Sequence, residues 1–241
     1  GLFSAIGFDV SNFIIGAVLY SGASVSVVPE DIRLNMVELN EYFINQGVTH
    51  SFITTQVGKL FMESVEETSL NLLLVAGEKL GNFESPTDYE LVDGFGPTEA
   101  FAFMSSILNS EKITGSSVGY LNYNTKAYIL DDECRRVPCG AVGELCIAGY
   151  QIADGYLNRE EETLNAFTPN PFDDNDDYNV LYHTGDMVRV LPDGSLGLVG
   201  RRDGQVKIRG NRVELSEVES VIREVNGVVD VTVQTIENGS N

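Results

Sequence analysis

The stretch that decides the fold is VTHSFITTQVGKLFMESVEETSLNLLLVA, residues 48–76. Val48 to Ile53 reads as a strand, Thr55 to Ser64 as a helix, and Leu70 to Ala76 as a strongly apolar strand. Strand, helix and buried strand in so short a span is the grammar of a βαβ unit, and hence of a parallel sheet. The alternation continues outward. Upstream, Asn12 to Tyr20 reads as an apolar helix and Ser24 to Val28 as a buried strand ended by Pro29. Leu34 to Gln46 carries Leu34, Val37, Leu39, Phe43 and Ile44 at helical spacing and stops at Gly47. Downstream, Tyr89 to Val92 is another strand.

After about Ile107 the pattern changes to short strands at Lys126–Leu130, Gly143–Ala148, Asp186–Leu191, Leu196–Val199 and Val206–Arg209. Turn residues punctuate them at Asp131-Asp132, Cys139-Gly140, Pro192-Asp193-Gly194 and Asp203-Gly204, and Asp193-Gly194 is a hairpin signal. The class expected is α/β: a parallel-type α/β layer to about residue 108, then a small β-barrel-like unit from about 109. The last stretch of the chain changes again. In it, Ser216 and Glu219 have capping-box spacing for a helix to Asn226 closed by Gly227, and Val228 to Ile236 alternates as a strand.

The chain has 241 residues, with 36 acidic side chains against 15 basic and a formal charge of −21. That deficit of basic density argues against nucleic acid as a partner. The longest apolar run, Phe13 to Tyr20, falls far short of the ~20 residues a membrane span needs, so no membrane partner is expected. The first basic residue is Arg33, unlike the positive start of a signal peptide. The three cysteines Cys134, Cys139 and Cys146 form no C-x-x-C pair, and His50 and His183 are the only histidines. That spacing predicts buried or half-buried free thiols in a reducing, cytoplasmic setting and no zinc site. Asp173 to Asp177 reads as a solvated acidic face.

Several familiar patterns fail on context. Gly115-Ser116-Ser117-Val118-Gly119 matches a hydrolase elbow but follows polar residues and leads into a strand. Gly94-Phe95-Gly96 lacks the third glycine of a dinucleotide fingerprint, and Gly77 to Gly81 lacks P-loop spacing. What holds is a series of polar, glycine-bearing loops. Phe8-Asp9-Val10-Ser11 sets a carboxylate before a helix. Asp93-Gly94-Phe95-Gly96-Pro97-Thr98-Glu99 combines amides, a hydroxyl, a carboxylate and an aromatic face, suited to a base, a phosphate and hydrated Mg²⁺. Tyr182-His183-Thr184-Gly185-Asp186 reads as a carboxylate in a tight turn, and Gly200-Arg201-Arg202-Asp203 as a charge cluster after a strand.

Taken in order, these loops closely resemble the adenylation domains of nonribosomal peptide synthetases, in the superfamily of acyl-CoA ligases and luciferases. The motifs are F-D-V-S from Phe8, D-G-F-G-P-T-E from Asp93, G-E-L-C-I-A-G-Y-Q-I-A-D-G-Y-L from Gly143, Y-H-T-G-D from Tyr182, and G-R-R-D-G-Q-V-K-I-R-G-N-R-V-E-L-S-E-V-E from Gly200. The family's phosphate loop would precede Gly1 and its catalytic lysine would follow Asn241, so the chain is read as a central fragment, weakly active or inactive alone. Phe95 stands where tyrosine is usual, Asp93 where asparagine is common, and Asp154 where arginine is usual.

The resemblance implies activation of an amino acid with Mg-ATP to an aminoacyl-adenylate. Transfer to the phosphopantetheine thiol of a peptidyl carrier domain follows, with neighbouring synthetase domains in cis. It implies Asp9 on the substrate ammonium, and a side-chain pocket of Val10, Phe13, Phe52, Leu74, Ala76, Gly94, Ala102 and Phe103. For the nucleotide it implies Phe95 stacked on adenine, Gly77 and Asp93 near the base, Thr98 at phosphate, Glu99 at Mg²⁺, and Asp186 with Arg201 at the ribose. It also implies Asp203 as the hinge, with 1–202 part of a larger N-terminal subdomain and a small α+β C-terminal subdomain starting at 203, and with Lys207 and Gly210 on the face presented during thiolation. The pocket positions carry no charge and no hydrogen-bonding side chain, so an aliphatic substrate (isoleucine, valine or leucine) is expected. A D-alanine–carrier-protein ligase, an acyl-CoA ligase and a non-catalytic scaffold are the other readings.

Overall fold

The computed structural model describes residues 1–78, 80, 88–101, 104–107, 117–202, 205–208, 211–225, 227–228 and 230–235, and of 104–107, 207–208, 211–212 and 216 only the backbone. Helix α1 spans Asp9–Tyr20 and α2 Met36–Gln46; they precede strand β1 (His50–Thr54), helix α3 (Thr55–Ser64) and strands β2 (Leu72–Ala76), β3 (Glu90–Phe95) and β4 (Met104–Ile107). The strands form one sheet in the order β1-β2-β3-β4, parallel up to β3 and antiparallel at β4.

Phe52 pairs with Leu74 and Leu74 with Val92, so the two-residue alternation of strands divides the sheet cleanly. On one face Ile53, Leu73, Val75 and Leu91 are fully buried beneath Leu39 and Phe43 of α2 and Phe61 of α3. On the other, Phe52, Leu74 and Ala76 pack with Val10 and Ile14 of α1. Helix α2 stops at Gly47 as expected, with φ +63°, but starts two residues later than expected, at Met36, because the Asn35 side chain accepts from the Glu38 N–H and caps it. Gly58 lets α3 approach the sheet, because a Cβ there would lie 2.6 Å from Val75 Cγ1. The expected strand Ser24–Val28 is reduced to a single bridge, Leu2 to Val27. Leu2 donates to the Ser26 carbonyl and accepts from the Val28 N–H, and among the described residues nothing extends that ladder.

The second layer contains β5 (Ser117–Gly119), β6 (Thr125–Leu130), β7 (Gly143–Gly149), α4 (Glu160–Ala166), β8 (Phe167–Pro169), β9 (Val180–Val190) and β10 (Leu196–Arg201). Its antiparallel sheet runs β5-β10-β9-β7-β6, with β8 also on β9, and among the described residues the path keeps two ends. Strand β7 is buried along its whole length, which explains its run of apolar and small residues. The expected Asp193-Gly194 hairpin joins β9 to β10, with Gly194 at φ +84° and Asp193 Oδ1 accepting from the Ser195 N–H.

Three expectations here need correction. Tyr182 to Asp186 is not a tight turn; it lies inside β9, where Gly185 at φ +74° accompanies a register shift. Thr-Gly-Asp chemistry suits a bulge as well as a turn, and sequence does not separate the two. The acidic loop is not purely solvated, because Asp173 forms an ion pair with Lys126 of β6. Cys134 and Cys139, expected to be at least half-buried, are exposed in the β6–β7 connection; Cys146 on β7 is buried, and all three are free thiols.

The chain continues through a hairpin of β11 (Val206–Ile208) and β12 (Asn211–Val213) into α5 (Leu215–Arg223). Ser216 falls inside α5 and Glu214 takes the N-cap position, so the predicted capping box does not form. Glu219 Oε1 instead accepts from the Val233 N–H. Residues 230–235 are not a strand: among the described residues they have no ladder partner. No described helix is long and apolar enough to cross a membrane.

Candidate nucleotide and substrate site

Asp9 is the first residue of α1, where the unpaired N–H groups and the helix dipole favour an anion. Its Oδ1 accepts from the Val10 N–H at 2.7 Å, and the carboxylate is half-buried. The turn that presents it is tied by Ser11, whose hydroxyl donates to the Phe8 carbonyl at 2.7 Å and the Ile6 carbonyl at 3.1 Å. Ser11 is fully buried and was not singled out from sequence; its place three residues after Phe8 is the signal that could have found it.

Behind Asp9 the structure gathers Val10, Phe52, Leu74 and Ala76 into one apolar cluster. Gly94 pairs with Ala76 in register, so it continues the same sheet face. Phe13 is 41% exposed on α1, and its ring lies 5.8 Å from that of Phe101. Ala102 and Phe103 lie outside the described residues.

Gly77 follows β2 at φ +108°. The next residue, Glu78, is held against the start of α3, its carbonyl accepting from Thr55 Oγ1 and its carboxylate from Gln56 Nε2. Asp93 sits on the sheet face opposite Leu74 and Ala76, in register with Val75. Burial pushes its carboxyl up to about 7, and Lys59 on α3 offsets only part of that.

After β3 the loop crosses to the second sheet. Phe95 packs against the buried cluster of that sheet, which includes Leu145, Tyr182, Val188 and Leu196. Thr98 is exposed. Glu99 is buried; its carbonyl accepts from the Ala153 N–H and its Oε1 from the Tyr156 hydroxyl at 2.8 Å. Tyr156, from the G-Y-L motif, is a partner that sequence reasoning missed.

On β9, Asp186 is 5% exposed and in register with Arg201 of β10, whose Nη1 donates to its Oδ1 at 2.9 Å. The bulge that carries Asp186 is fixed from β7: Glu144 Oε1 accepts from the Gly185 N–H at 3.0 Å, and Thr184 Oγ1 donates to the Leu145 carbonyl at 2.7 Å. Burial alone would raise the Glu144 carboxyl. Hydrogen bonds from His183 and Gly185 and the charge of Arg202 outweigh it and hold the group below its usual range. Asp203 and Gly210 lie outside the described residues, as does the Lys207 side chain.

The structure therefore presents a helix-terminal carboxylate over an apolar face, and a buried Asp–Arg pair joined to it by an aromatic and acidic loop. The sequence profile of the family described as AMP-binding enzyme matches residues 2–157. The chain belongs to the AMP-binding enzyme family. It is 39% identical over 236 residues to surfactin synthase subunit 2 of Bacillus subtilis, an alignment covering 98% of this chain and 6% of that protein. Bacitracin synthase 1 of Bacillus licheniformis is 35% identical over 240 residues, covering 100% of this chain and 4% of that protein. The chain thus spans a small fraction of the length of these relatives.

The fold of IdnL1 superposes with a TM-score of 0.84 at 25% identity, covering 95% of this chain and 50% of that one. That of holo-PA1221, an NRPS protein with adenylation and PCP domains, gives a TM-score of 0.79 at 24% identity, covering 95% and 41%. Within the AMP-binding enzymes the chain groups with the adenylation domains of nonribosomal peptide synthetases.

Proposed function

We propose that this chain carries the amino-acid and ribose subsites of an adenylation domain that activates an aliphatic amino acid, isoleucine, valine or leucine. The observation that carries the reading is the seating of Asp9 on the α1 N-terminus beside Val10, Phe52, Leu74 and Ala76. A half-buried carboxylate suits an α-ammonium, and the apolar face behind it offers no partner to a charged or amide side chain.

In the first step the substrate carboxylate attacks the α-phosphorus of ATP, the bond to pyrophosphate breaks, and an aminoacyl-adenylate forms. In the second, the phosphopantetheine thiol of a peptidyl carrier domain attacks the acyl carbon and AMP leaves. Asp9 orients the amino acid. Asp186, an acceptor fixed by Arg201 and by the bulge at Gly185, suits the two ribose hydroxyls, and Phe95 offers a face to the base. Gly77 and Asp93 stand near the base and Thr98 near phosphate, while Ala102 and Phe103 complete the amino-acid pocket. Glu99 is a hard oxygen donor of the kind Mg²⁺ takes, and when bound the ion would neutralise phosphate charge. The division at 203, with Asp203 as hinge, a cytoplasmic setting and neighbouring synthetase domains in cis belong to the same proposal.

The test is a twenty-amino-acid pyrophosphate-exchange panel on the full adenylation domain, with Asp9→Ala as control. Preference for isoleucine, valine or leucine is expected, with modest discrimination among them because one methylene is worth ~1–3 kcal/mol. Preference for aspartate, lysine or glutamine overturns the pocket reading. Full activity of Asp9→Ala overturns the amino-acid reading itself.

A further inference from the structure

Three side chains that are given no contact with substrate or nucleotide in the reading above converge between β7 and β9. Glu144 and Cys146 are two residues apart on β7 and share a face, and Cys146 pairs in register with His183 of β9. His183 Nδ1 consequently lies 3.4 Å from Glu144 Oε2 and 3.4 Å from Cys146 Sγ. One donor atom from each residue lies within 4.8 Å of the other two. Bonds of about 2.0–2.3 Å from a tetrahedral zinc ion put its ligand atoms about 3.3–3.6 Å apart, so both 3.4 Å separations match edges of such a tetrahedron.

We propose that Glu144, Cys146 and His183 form a binding site for a zinc ion, with water in the fourth position. The outer contacts fit that role. Thr168 Oγ1 lies 3.0 Å from His183 Nε2 and can accept the ring proton there, so that a metal displaces the Nδ1–H that otherwise bonds Glu144 and takes the Nδ1 lone pair. The Gly185 N–H fixes Glu144 through Oε1, the oxygen not facing the histidine. A cavity of about 550 Å³ opens beside the cluster, lined by Glu144, His183, Thr168, Asp131 and Arg202, and gives the ion and its water a way in.

A mixed sulfur, nitrogen and oxygen set selects zinc or cobalt over Mg²⁺ and Ca²⁺, which take oxygen alone. Ligation needs the Cys146 thiolate, so binding exchanges the thiol proton for the metal and releases that proton to solvent. Thiolate and carboxylate then balance the two charges of the ion. Arg202 lies 3.4 Å from Glu144 Oε2 but also pairs with Asp132 at 2.8 Å, an alternative partner once the carboxylate is ligated.

The test is a Co²⁺ titration of the full adenylation domain, followed by displacement with Zn²⁺, with no turnover needed. The expected result is one strong cobalt site per chain, showing a thiolate-to-metal charge-transfer band that one equivalent of Zn²⁺ abolishes. Cys146→Ser removes the band. His183→Gln weakens binding by more than about 100-fold, beyond the 10–100-fold typical of an outer partner, whereas Thr168→Val weakens it about 10-fold. Should Cys146→Ser not fold, the half-buried Thr168→Val and thermal stabilisation of the unsubstituted protein by Zn²⁺ but not Mg²⁺ decide the matter. No charge-transfer band at stoichiometric cobalt, a band that survives Cys146→Ser, or equal stabilisation by Zn²⁺ and Mg²⁺ overturns the site.

Discussion

The two sheets each hold an acidic side chain away from water and treat it in opposite ways. Asp93, on β3 of the parallel sheet, is pushed up to about 7 by burial, with Lys59 giving partial relief. Glu144, on β7 of the antiparallel sheet, also suffers burial, yet His183, the Gly185 N–H and Arg202 hold it below its ordinary range. Burial has the same sign at both places; the donors aimed at the group decide which form it takes. A parallel layer made of apolar strands under helices supplies few such donors. An antiparallel layer with a bulge at Gly185 exposes a backbone N–H that a neighbouring strand's carboxylate can take.

The largest test of that contrast is Asp186→Ala. It strips Arg201 of a carboxylate held at 2.9 Å in a site where Asp186 is 5% exposed. The expected loss is about 3–5 kcal/mol in denaturant unfolding, because one half of a buried pair is left behind. Asp186→Ala should also weaken ATP and AMP alike, with a smaller penalty for a 2′-deoxy nucleotide. A stability loss under 1 kcal/mol would break the claim that the antiparallel sheet compensates its charges.

Asp93→Asn should act in the opposite direction. The folded carboxyl titrates near 7 against 3.8 in an unfolded chain, so the native state binds more protons between those values. Stability therefore falls as pH rises from about 4 to 7, and the penalty is complete above 7. The asparagine variant should be more stable than the parent at pH 8, by up to about 4 kcal/mol, and level with it at pH 4. Equal unfolding curves at pH 8 would show that Asp93 is solvated.

Glu144→Gln should destabilise by about 1–3 kcal/mol at pH 7. Its carboxyl is lowered on folding, so the stability it contributes is present above the ordinary 4.5 and is lost as pH falls through the folded value. The gap between parent and variant should thus close in acid, as for Asp93→Asn, but with the opposite sign at neutral pH: here the parent is the more stable. Smallest is Lys59→Met, which should move the Asp93 titration further upward by less than about one unit, read by carboxyl NMR. No movement would remove Lys59 from the comparison.

Much of this molecule is local and therefore legible in its residues. The βαβ grammar of residues 48–76, the Gly47 end of α2, the Asp193-Gly194 hairpin and the order of the five motifs all rest on spacing within one segment. The apolar character of Val10, Phe52, Leu74 and Ala76 was legible as well, and the sheet brings those four together because strand side chains alternate by two. Two local readings failed: among the described residues Ser24 to Val28 bridges only to Leu2, and α5 begins at Leu215, ahead of the Ser216 expected to cap it.

Tertiary structure alone decided the polar network. Tyr182 to Asp186 becomes the middle of a bulged strand because β7 and β10 flank it, and that register sets Asp186 against Arg201. The sequence argued against a zinc site, since its three cysteines form no C-x-x-C pair and it has only two histidines. Pairing β7 with β9 sets Cys146 and His183 opposite each other, with Glu144 one side-chain repeat away. Chemistry carried by neighbours in sequence can be read from residue order, whereas chemistry shared between strands depends on register, and register is set by the packing of the whole sheet.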